Sequence, residues 1–74
     1  MVQVFREDLL DVITLMEEAI EEERRAHEKY KNGAEAAADP ETRSMFEQLA
    51  RMEESHERML RDRLSALKLI KGDR

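Results

Sequence analysis

The chain has 74 residues and no cysteine, with 18 acidic against 13 basic side chains for a net charge of -5. That length allows one domain at most, and the negative balance excludes the basic surface that nucleic acid or an anionic membrane demands, leaving cations as the natural small partners. So short a chain buries too little surface to hold a helical hairpin together alone and has no disulfide to close it, so a second copy or a bound metal is expected. No apolar run approaches a membrane span, and the N-terminus lacks the basic-then-apolar layout of a signal peptide, so a soluble, cytoplasmic protein is expected.

The first predicted element is a helix from about Phe5 to about Ala38. Spaced by sevens, Leu9, Met16, Glu23, Tyr30 and Ala37 form a central row. Val12, Ala19, Ala26 and Gly33 flank it on one side and Ile13, Ile20, His27 and Ala34 on the other, giving an apolar face about three residues wide. Glu23 alone breaks the central row with a charge. Ala19, Ala26 and Gly33 are small enough to let another helix approach, although glycine inside a helix costs roughly 1 kcal/mol relative to alanine.

The stretch AADPET interrupts the helical pattern, with Asp39 placed to cap a helix and Pro40 suited to its first turn. A second helix is predicted from Pro40 to about Lys71, with Gly72 as its stop. Phe46, Leu49, Glu53, His56, Leu60, Leu64 and Leu67 form its stripe, again with polar residues at the centre. Met45, Met52, Met59 and Ala66 widen that face, so this helix is expected to touch more than its neighbour in the hairpin. The methionines read as adaptable packing rather than as soft-metal ligands.

Register brings the polar interruptions together. Glu23 stands 16 residues before Asp39, while Glu53 and His56 stand 14 and 17 after it. At about 1.5 Å per residue all three lie roughly 21 to 26 Å from the turn, at one depth in an antiparallel hairpin. A carboxylate in an apolar interior must be neutralised, paired or given a metal. No lysine or arginine shares the central rows at that depth, since Arg24, Arg25, Arg51 and Arg58 take outer positions. The i, i+3 pair Glu53 and His56 sets carboxylate and imidazole on one face, a donor set suited to iron, manganese or zinc. One hairpin offers three such ligands. Two hairpins about a twofold axis make a four-helix bundle whose centre holds four glutamates and two histidines, the complement of a di-iron carboxylate site. His27, four residues after Glu23, reads as a flanking interface residue ahead of an additional ligand.

ERRAHEKY, Glu23 to Tyr30, and FEQLARMEESH, Phe46 to His56, resemble the two halves of the rubrerythrin-type ferritin-like motif. There one helix carries Glu, Ala three later and Tyr seven later, and its partner carries Phe, then Ala, then Glu-x-x-His. The matching residues are Glu23, Ala26, Tyr30, Phe46, Ala50, Glu53 and His56, and the likeness runs from about Asp8 to Leu64. Full-length members carry two helix pairs per chain; this sequence holds one, so it resembles a half-ferritin that completes its bundle by dimerising. The resemblance implies two iron ions per dimer, with Glu53 of each subunit bridging them, His56 and Glu23 as terminal ligands, and Tyr30 as an outer residue orienting a ligating carboxylate. It also implies oxidation of Fe(II) by dioxygen or peroxide, in storage or detoxification. The cysteine-rich module of rubrerythrins is missing, and Ala26 stands where their additional acidic residue would be, so ferroxidase chemistry outranks peroxide reduction. Similar one-pair proteins are cargo of encapsulin shells, which adds a shell as an expected partner and compartment, though the tail SALKLIKGDR shows no clear docking peptide. The competing expectation is a helical dimerisation module or metal sensor in which Glu23, Glu53 and His56 form a metal-free network that fixes register.

Overall fold

A computed structural model describes residues 6–71 of the chain. Two helices account for nearly all of them, α1 over Arg6–Ala36 and α2 over Pro40–Lys71, packed side by side as an antiparallel all-α hairpin about 52 Å long. Phe5 and Gly72, the expected outer limits, lie outside the described residues.

The turn follows from its side chains. Asp39 Oδ2 accepts a hydrogen bond from the Thr42 backbone N–H at 2.8 Å, and the Asp39 carbonyl accepts from Arg43 N–H at 3.1 Å. Asp39 is therefore the N-cap of α2, with Pro40 at the first helical position, where its missing N–H costs nothing. α1 stops at Ala36, two residues short of the expected limit, after Ala37 N–H donates to Gly33 O at 2.9 Å. The Ala37 carbonyl accepts instead from the Arg43 guanidinium at 3.2 Å, which satisfies an acceptor the helix abandons.

Packing is narrower than the sequence rows suggest. Buried apolar residues are Ile13, Ile20, Ala34 and Ala50. On α1 these belong to one flanking row, not to the central one, so α2 covers mainly that edge of a three-row face and reaches the other edge at Gly33. Met16, Glu23 and Tyr30 in the central row are half-buried, while Val12 on the far edge is exposed. Met45, Met52 and Met59 are likewise exposed on α2.

Gly33 departs from its expected role. A Cβ built there would stand 2.9 Å from Phe46 Cδ1 and 3.0 Å from its Cγ and Cε1, so the space is already taken by a ring of the same chain. Glycine serves the contact between α1 and α2 rather than the approach of an outside helix. The ring of Phe46 then stacks on Tyr30, with centroids 6.3 Å apart and planes at 27°.

Candidate metal centre

Two helices deliver the site. α1 contributes Glu23 and α2 contributes Glu53 and His56 one turn apart. Each of the three offers a ligand atom within 4.8 Å of the others, and they form the one such group of His, Cys, Asp or Glu among the described residues. His56 Nδ1 lies 3.0 Å from Glu53 Oε1 and 3.5 Å from Glu23 Oε2. An imidazole nitrogen carries one proton at most and so serves one of these carboxylates at a time. Glu23 Oε2 is then buried without a hydrogen-bond partner, although it lies within ion-pair distance of the ring.

Burial is graded across the group. The side chains of Glu53 and Glu23 are 19% and 24% exposed, whereas that of His56 is 46% exposed. The carboxyl of Glu23 is held above the ordinary carboxylate range. The adjoining Glu53 carboxyl is the main cause, followed by burial and by repulsion from the Glu53 charge, while His56 pulls the other way. The two carboxyls therefore compete for positive charge.

No cationic side chain among the described residues relieves that competition. Arg24 and Arg25 reach Glu21 at 2.6 and 3.3 Å, Arg61 reaches Glu57 at 2.8 Å, and Arg58 lies 4.0 Å from Glu54. All these pairs follow the outer helix surface, where they contribute little to stability. Two carboxylates and an imidazole brought within 4.8 Å of one another, with one oxygen buried and lacking a hydrogen-bond partner, suit a divalent cation.

His27 is placed elsewhere. It lies in the groove on the opposite side of the helix pair, beside Lys31, Glu35, Glu47, Arg51 and Glu54, outside the group that converges at Glu23. Tyr30 is held by its ring, between Phe46 and the Lys29 ammonium 5.3 Å from the ring centroid. Phe46 belongs to the predicted stripe of α2, whereas Lys29 is a supporting contact that periodicity did not reveal; a lysine adjacent to a half-buried tyrosine was the available signal for it.

Among known protein families, the description Rubrerythrin matches residues 1–64. The chain belongs to the rubrerythrin family. Searches of curated proteins and of solved structures found no match. Membership in the rubrerythrin family supports a ferritin-like, iron-binding protein, and Glu23, Glu53 and His56 are a group in this chain able to hold such an ion. Neither helix of this rubrerythrin-family chain is long and apolar enough to cross a membrane, among the described residues.

Proposed function

We propose that two copies of this hairpin build a di-iron carboxylate site between them and oxidise Fe(II) with dioxygen or peroxide, as a cytoplasmic ferroxidase for iron storage or detoxification, free or enclosed in a protein shell such as an encapsulin. The observation that carries the reading is the convergence of Glu23, Glu53 and His56 within 4.8 Å of one another, with Glu23 Oε2 buried and without a hydrogen-bond partner among the described residues. Doubling two glutamates and one histidine gives the four-glutamate, two-histidine complement of bundle-core di-iron sites.

Fe(II) is the substrate. Four carboxylates offset the charge of two divalent ions, which makes the loaded interior near neutral and the metal-free one crowded with like charge. Glu53 would hold both ions and Glu23 and His56 one each, and their hard anionic oxygens would favour the ferric product over the ferrous substrate. The bound ions supply one-electron transfer to the oxidant. Tyr30, one heptad from Glu23 with its ring against Phe46 and Lys29, would orient a ligating carboxylate, as residues outside the ligand shell commonly do. Manganese or zinc fits the same donors and would occupy the site without turnover.

Anaerobic addition of Fe(II) followed by air should produce near-ultraviolet ferric absorbance that saturates at about two irons per dimer. Glu53→Ala should abolish it. Absence of signal in the unmodified protein, with helicity intact, would leave the three residues as a register-fixing network.

A further inference from the structure

The sequence contains neither cysteine nor tryptophan, so its five methionines are the chain's only sulfur. Three of them, Met45, Met52 and Met59, form one row on α2 and are 49%, 53% and 63% exposed, whereas Met16 on α1 is half-buried. Exposure along the row is near even; distance from the metal centre is not. Met52 and Met59 stand four before and three after His56, the spacing at which side chains border one another on a helix surface. Met45 stands eleven before it, about 16 Å along the axis against about 6 and 4.5 Å for the other two. The centre is also open on this side, since the His56 side chain is 46% exposed while those of Glu53 and Glu23 are 19% and 24% exposed. Leucine fills a comparable volume and packs as well; what it lacks is a sulfur that can be oxidised and restored.

We propose that Met52 and Met59 capture hydrogen peroxide leaving the metal centre and so spare the ligand between them, His56, from oxidation. The inference rests on the ferroxidase reading above but not on where a second copy docks. Oxidation of two Fe(II) by dioxygen releases two electrons, which with two protons reduce it to hydrogen peroxide. A thioether then accepts one peroxide oxygen. Its sulfur gives up two electrons and becomes a sulfoxide, the O–O bond breaks, and the other oxygen departs with both hydrogens as water. Methionine sulfoxide reductases return the product to the thioether, so the pair can be used again. Peroxide spreading from one point thins inversely with distance, so Met52 and Met59 should be oxidised about threefold faster than Met45 during turnover.

Peptide mapping tests the assignment. Trypsin places Met45, Met52 and Met59 in separate peptides, because Arg51 and Arg58 divide them, and mass spectrometry reads the oxygen gained by each. Protein loaded anaerobically with Fe(II) and then exposed to air, with catalase in the buffer to remove escaped peroxide, should show the bias toward Met52 and Met59. Metal-free protein given hydrogen peroxide alone should oxidise all three nearly alike, as their exposures predict. Met45 keeping pace in the iron arm, the same bias in the metal-free arm, or ferric absorbance with no methionine oxidised overturns the proposal. The double variant Met52→Leu, Met59→Leu, checked for helicity by circular dichroism, should move the oxygen onto His56 and lose Mn(II) affinity over repeated iron cycles. A double variant whose His56 stays as free of added oxygen as in the unmodified protein overturns the protective role. Absence of ferric absorbance in the unmodified protein overturns the ferroxidase reading and the peroxide source with it, a failure distinct from the others.

Discussion

Glu23 shows how one side chain ties acidity to stability. Its carboxyl is held above the ordinary range by Glu53 and by burial, so the folded metal-free chain binds that proton more tightly than the unfolded one. The stabilisation is complete below the unfolded value of about 4.5 and is lost as pH rises through the folded value. Metal-free protein should therefore melt at a higher temperature near pH 4.5 than at neutrality for this group, and Glu23→Gln, which keeps the shape of the protonated form, should flatten that part of the profile. A melting curve that keeps its slope in the variant would assign the dependence to other groups. Gly33 offers a second test. Alanine would gain roughly 1 kcal/mol of helix propensity, but its methyl would meet the Phe46 ring at 2.9 Å, and overpacking typically costs about 1–3 kcal/mol. Gly33→Ala should lower the melting temperature, and Gly33→Ala with Phe46→Leu should recover it. The convergence of Glu23, Glu53 and His56 was legible because charges in apolar rows, counted from Pro40, fall at one depth. The fit of Phe46 into Gly33 was not, because it depends on how far each helix is rotated about its own axis, which a seven-residue spacing leaves open.

At the scale of the helices, the turn is the best-specified element. The Thr42 backbone N–H, donating to Asp39, holds its carboxyl below the ordinary range, and the Thr42 hydroxyl adds to the effect. A depressed value means stability present above the unfolded pKa and lost as pH falls through the folded one. Asp39→Ala should lower the melting temperature at pH 7, and the gap from the unmodified protein should close as the buffer is taken below about pH 3.9. A gap independent of pH would locate the effect in the backbone rather than in the cap. Both helices were readable from their composition and from Asp39-Pro40. The end of α1 was not, because Arg43, six residues beyond Ala37, captures the carbonyl that would have continued it. The ion pair of Lys68 on α2 with Glu17 on α1, at 3.7 Å, is likewise a matter of register far from the turn.

At the scale of the whole molecule, the four buried apolar residues among those described are a slight core, and the exposed methionines show where more surface is available to cover. Metal should act on the assembled form. Ligand at a hundredfold excess over its dissociation constant stabilises a fold by about 2.7 kcal/mol, which in a domain this small raises the melting temperature by on the order of 10 °C. Fe(II) under argon, or Mn(II) in air, should produce such a rise, and the Glu53→Ala protein should show none. An unchanged midpoint in the unmodified protein would remove the metal from the account. The all-α class and the pairing of the helices were plain in the sequence; how much of each face the hairpin itself covers was not, since a wide apolar face looks the same whether one neighbour or two will use it. The hairpin also behaves as a pair of calliper arms. Its jaws are Glu23 on one arm and Glu53 with His56 on the other, and its hinge spacing is set by a bare backbone pressed on an aromatic ring, ten positions or about 15 Å from the jaw on α1. Thickening that hinge by one methyl should spread the jaws, and a weaker Mn(II) affinity of Gly33→Ala, ten positions from Glu23, would register it.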